Sequence, residues 1–112
     1  MSGQTDKERT GYGAPMPKFV MLSTLGPEGS ARLRDNPERL REVSREVESM
    51  GVKVLAQYAL LGSWDFLNIL EAPNELTMAR VATTLSARGT LKTLTLPAIE
   101  IDAFIDELKK ET

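Results

Sequence analysis

Residues 52–71 read VKVLAQYALLGSWDFLNILE, two apolar, β-prone runs on either side of Gly62-Ser63. A two-residue linker with Gly in first place suits a type II′ hairpin turn. The stretch therefore predicts a strand over 52–61, a tight turn and an antiparallel strand over 64–71. Alternation puts Trp64, Phe66, Asn68 and Leu70 on one face of the second strand, and Leu67 and Ile69 on the other. Both faces are largely apolar, so the hairpin belongs in a sheet with something packed on each side.

Working outward, Asn36-Pro37 opens a helix on the upstream side, with Asn36 as the cap and Pro37 in the first turn. Leu40, Val43, Val47 and Met50 give it one apolar stripe, and Gly51 ends it. Before it, residues 18–25, KFVMLSTL, form a buried strand between Pro17 and Gly26-Pro27. Downstream, Pro73 and Asn74 open a second helix whose wide apolar face holds Leu76, Met78, Ala79, Val81, Ala82 and Leu85. Gly89 closes it, residues 90–99 form a fourth strand, and Asp102 caps a last short helix with Phe104, Ile105 and Leu108. The order is βαββαβ plus a terminal helix, the split-βαβ or ferredoxin-like pattern of α+β domains.

Two helices cover one face of such a sheet. An apolar second face exceeds what monomers usually expose, so the sequence predicts that two chains pair through it into a dimeric α+β barrel, with Phe66 and Leu70 beside Trp64 at the contact. The competing arrangement folds the terminal helix over that face.

With 112 residues there is room for one domain. Residues 1–16 hold three glycines and, after Met1, two bulky apolar residues, Tyr12 and Met16. They read as a flexible N-terminal tail and a candidate contact for a protein partner; the domain occupies 17–112. The net charge of −2 provides no electrostatic footprint for nucleic acid. No apolar run reaches bilayer length, and no secretory h-region stands at the start, so the expected location is cytoplasmic, off the membrane. The chain contains no Cys and no His. That excludes thiol nucleophiles, disulfides, Ser-His-Asp triads and Cys/His zinc sites. No metal and no cofactor are expected.

Gly62-Ser63-Trp64-Asp65 resembles the signature of the GYD-domain family, with Trp64 where that family usually has Tyr. Thr24 with Gly29, Asn36-Pro37-Glu38-Arg39, Glu71-Ala72-Pro73, Gly89 and Thr93-Leu94-Thr95 are similar to the family's pattern in order and spacing, over about residues 17–101. The resemblance implies the dimeric α+β barrel fold and self-association. It implies no established activity.

Two groups of residues are candidates for function. Gly62, Trp64 and Asp65 form the hairpin motif, either the mouth of a pocket or simply a turn in which Asp65 holds turn amides. Tyr58, Trp64, Asn68, Thr93 and Thr95, with Gln57, are candidates to line a mixed pocket inside the barrel, open to a small apolar or mixed ligand; a satisfied polar cluster is the plainer reading. Arg32, Arg34, Arg39, Arg41 and Arg45 interleave with glutamates, which suits a solvated helix face better than an anion site. The leading functional expectation is a non-catalytic, homo-oligomeric binding or assembly module, such as an accessory subunit of a larger complex. The alternatives are a small cofactor-independent enzyme of oxygenase or isomerase type, resting on Tyr58, Trp64 and Asn68, and a small-molecule sensor.

Overall fold

The computed structural model of the chain describes residues 16–110. The predicted tail therefore lies outside the described residues, apart from exposed Met16. The elements run β1 (Lys18–Leu25), α1 (Pro27–Asp35), α2 (Arg39–Ser49), β2 (Lys53–Ala59), β3 (Phe66–Glu71), α3 (Glu75–Ser86), β4 (Leu91–Ala98) and α4 (Ile101–Leu108). The four strands form one antiparallel sheet in the order β2-β3-β1-β4. This is an α+β, ferredoxin-like arrangement. Pro97 lies in β4, an edge strand, where a missing backbone donor is tolerated.

One helix was not foreseen. Residues 27–35, PEGSARLRD, have too few apolar positions to show a helical period, yet they form α1. Gly29 explains its placement. A Cβ there would stand 2.5 Å from the Thr90 carbonyl oxygen, so only glycine lets α1 lie this close to the start of β4. The Gly26 amide donates to the same oxygen at 3.2 Å. Asn36 consequently ends α1 instead of capping α2, which starts at Arg39 after a short turn. In α3 the expected cap is present: Asn74 Oδ1 accepts from the Thr77 amide at 2.8 Å. Asp102 falls inside α4, whose N-cap is Glu100.

The core joins Phe19 and Met21 of β1 and Leu70 of β3 to Val47 of α2 and to Met78, Val81 and Leu85 of α3. Leu40 and Leu76, expected on inward stripes, remain exposed. Cross-strand partners share a face, and the register pairs Phe19 with Leu70, Met21 with Asn68, and Ser23 with Phe66. Phe66, Asn68 and Leu70 therefore lie under the helices, not on the open face where Phe66 and Leu70 were expected. The open face carries Val20 and Leu22 of β1, Leu67 and Ile69 of β3, and Leu94 and Leu96 of β4. The pattern alone cannot orient β3, because both of its faces are apolar. The core-facing set is fixed instead by β1, whose alternate residues Phe19, Met21 and Ser23 are buried.

α4 does not fold over this face to cover it. Its residues are all exposed, including Ile101, Phe104, Ile105 and Leu108, which line up at spacings of three and four. Leu94 and Leu96 keep 42% and 44% of their surface in solvent. Lys18 ties the base of α4 to the sheet, 2.8 Å from Glu100 and 3.5 Å from Glu71. The Glu100 hydrogen bond, aided by both carboxylate charges, holds the Lys18 ammonium above its ordinary pKa.

Candidate functional site

The β2–β3 connection spans residues 60–65 and is longer than the two-residue turn predicted for it. The Leu60 amide closes it by donating to the Asp65 carbonyl at 2.7 Å. Gly62 has φ +121°, a conformation that side-chain-bearing residues rarely adopt. Asp65 acts across the fold, not within the turn. Its carboxylate accepts from the Leu25 amide at 2.7 Å, and its own amide donates to the Ser23 carbonyl at 2.8 Å. The Gly62-Ser63-Trp64-Asp65 motif thus pins the hairpin to the end of β1. Trp64 is half-buried beside it, and Leu61 at the tip is fully exposed.

Where β1 ends, the helices leave a gap over the sheet, a pocket of about 390 Å³. Its floor is Met21 and Ser23 of β1 with Phe66 and Asn68 of β3. α1 contributes Arg32 and Leu33, and α2 contributes Arg39, Leu40 and Val43. Leu85, Arg88, Leu91 and Thr93 close the remaining side. The structure brings Asn68 and Thr93 of the predicted pocket together here, with Gln57; Tyr58 borders the pocket, but it pairs with Leu67 and its side chain belongs to the open-face side. Trp64 and Thr95 are not among the lining residues; Thr95 pairs with Met21 across β1 and β4, and its buried Oγ1 has no partner among the described residues. The pocket lies between the sheet and its own helices within a single chain. A pocket inside a two-chain barrel, as predicted, would use the opposite face.

The polar groups of this pocket are organised. Gln57 Nε2 donates to Asn68 Oδ1 at 2.9 Å, and Ser44 Oγ stands 3.0 Å from Gln57 Oε1. The Asn68 amide nitrogen is left with its donors unused among the described residues. Ser23 is the one buried polar residue among the described residues. At the rim, Arg32 lies 3.5 Å from Glu28 and Arg39 lies 3.1 Å from Glu42. Arg88 bonds to Glu46, linking the end of α3 to α2. That hydrogen bond holds the Glu46 carboxyl below the usual carboxylate range and raises the Arg88 guanidinium. No Asp, Glu, Lys or His lines the pocket. Sequence reasoning missed Arg88 and Ser23 and treated Arg32 and Arg39 as plain surface. No local signal pointed to them, because Gly29 shows its close approach to Thr90 only once α1 is in place.

Among the described residues no group of three or more Asp or Glu is placed to hold a metal ion. No helix among them is long and apolar enough to cross a membrane.

A family model described as the GYD domain matches residues 19–108. A protein of Thermus thermophilus named glutamine synthetase and cystathionine beta-lyase binding protein is 48% identical over 95 residues, covering 84% of this chain and all of the relative. No solved structure matches.

Proposed function

This chain belongs to the GYD-domain family, and from that premise we propose that it is a cytoplasmic, non-catalytic assembly module: a homodimer that docks on metabolic enzymes as an accessory subunit. The observation that carries this reading is the pair of apolar surfaces left in solvent, the open sheet face around Leu94 and Leu96 and the α4 stripe around Phe104. One sheet face is self-complementary by symmetry and serves the pairing of two copies. The α4 stripe is a separate surface, presented i, i+3, i+4 and i+7, the spacing with which helices dock into grooves. The Thermus relative's name supports an enzyme as the partner, because two enzymes appear in it. The pocket gives catalysis little support, since no Asp, Glu, Lys or His lines it and Tyr58 pairs with Leu67, which puts its phenol on the open-face side.

The test uses the full chain with the glutamine synthetase and the cystathionine β-lyase of its own organism. Co-sedimentation with either enzyme, abolished by Phe104→Glu without loss of the dimer, is the expected result. Failure to bind either enzyme at tens of micromolar would remove the accessory-subunit reading.

A further inference from the structure

The pocket beneath α1 and α2 has a chemistry that the docking role leaves unexplained. Its depth is apolar, lined by Met21, Leu33, Val43, Phe66, Leu85 and Leu91. Its ionic groups have one sign: Arg32, Arg39 and Arg88 reach it, and no carboxylate does. This contrasts with a chain that carries 16 acidic residues against 14 basic ones and interleaves them along α2. The polar side chains of its interior point to the same partner. Gln57 donates to Asn68 Oδ1, and no described residue accepts from the Asn68 amide nitrogen, which leaves its N–H donors for an anionic or carbonyl group. Ser23 brings a hydroxyl to the floor, where few polar groups are buried at all. At about 390 Å³, the space matches ordinary small-molecule pockets.

We infer that this pocket binds a small amphipathic organic anion, with its apolar body on Met21, Phe66 and Leu85 and its carboxylate or phosphate held by Arg32 and Arg39 at the rim. The present partners of these arginines, Glu28 and Glu42, are exposed. Such surface pairs are weak and exchange readily for a better-placed anion. A guanidinium is suited to the exchange, because its planar fork grips a carboxylate with two parallel bonds. The site lies on the helix side of the sheet, so pairing through the open face leaves it accessible. Its position under α1, α2 and the end of α3 gives ligand binding a route to influence those elements while α4 remains free to dock.

The probes are three compounds of one shape: 4-phenylbutyrate, its uncharged amide, and 4-phenylbutylamine. They are titrated into the full chain while the side-chain amide resonances of Asn68 and Gln57 are followed by NMR. The carboxylate is expected to shift both resonances saturably. The amide is expected to bind at least tenfold more weakly, and the amine not to bind. Arg32→Gln with Arg39→Gln should cut carboxylate affinity at least tenfold and leave amide affinity unchanged. Both side chains are exposed over about half or more of their surface, so the double variant should melt close to the parent, and its amide binding reports an intact pocket. Three results would overturn the inference: no shift at Asn68 or Gln57 up to the solubility limit, equal affinity for carboxylate and amide, or carboxylate shifts confined to Leu67, Leu94 and their neighbours on the open face.

Discussion

Leu94→Glu separates the two sides of the sheet energetically. Leu94 faces away from the helices and keeps 42% of its surface in solvent in the single chain. Burying a whole leucine is worth about 1.5–3 kcal/mol, so covering the remaining two-fifths in a dimer is worth about 0.6–1.3 kcal/mol. Two-fold symmetry counts the site twice, giving about 1.2–2.6 kcal/mol per dimer. Glutamate forfeits that gain and places two carboxylates in an apolar contact, a cost of several kcal/mol. A total loss of at least about 3 kcal/mol raises the dimer dissociation constant by about a hundredfold or more. Folding should change little, because a half-exposed position keeps its charge in water in the monomer. Light scattering across a dilution series, run beside denaturant melts, measures both. The expected result is a folded monomer for Leu94→Glu at concentrations where the parent is a dimer. Phe66→Glu, by contrast, acts on the helix-covered face and should damage the core side and the pocket. A Leu94→Glu protein that pairs as tightly as the parent would refute the open-face contact.

Other substitutions test the local construction. Gly29→Ala drives a Cβ to 2.5 Å from the Thr90 carbonyl oxygen, and the forced shift of α1 should cost about 1–3 kcal/mol, visible in a urea melt. Gly62→Val meets no neighbour within 4 Å but must adopt φ +121°; a cost of about 1–3 kcal/mol is expected from backbone strain alone, and an unchanged midpoint would contradict it. Asp65→Ala leaves the Leu25 amide without the carboxylate now 2.7 Å away, with an expected loss of about 1.5–3 kcal/mol. Glu46 has a depressed carboxyl pKa through its bond with Arg88, so its stabilising share is present above the ordinary carboxylate range and is lost as pH falls through the depressed folded value. Glu46→Gln should therefore flatten part of the acid limb of stability against pH, with little change near neutrality for an exposed pair.

The succession of strands along the chain and the helix α3 could be read because β1, the 52–71 hairpin and α3 each carry their own local signal: bounded apolar runs, a turn glycine, an Asn74 cap. What could not be read depended on partners distant in sequence. The orientation of β3 is set by which of its two apolar faces meets Phe19 and Met21, and nothing within FLNILE distinguishes them. α1 lacks an apolar period and is held by a backbone approach at Gly29 to a residue some sixty positions away. The pocket followed from that missed helix. Asn68 stood out in the sequence as a polar residue among apolar ones, and it does line a pocket, but on the helix side. Asp65 was legible as a functional position in its motif, while its real acceptor role, to Leu25, required the β1–β3 pairing.

Docking on an enzyme, as proposed, uses the α4 stripe and not the open sheet face proposed for pairing. Sedimentation velocity tests it most directly, with the full chain, its own organism's glutamine synthetase and cystathionine β-lyase, and the Phe104→Glu and Leu94→Glu variants in parallel. The expected result is a larger species with at least one enzyme, lost on Phe104→Glu while that variant remains a dimer. Parent protein that sediments independently of both enzymes, or a complex untouched by Phe104→Glu, would contradict it.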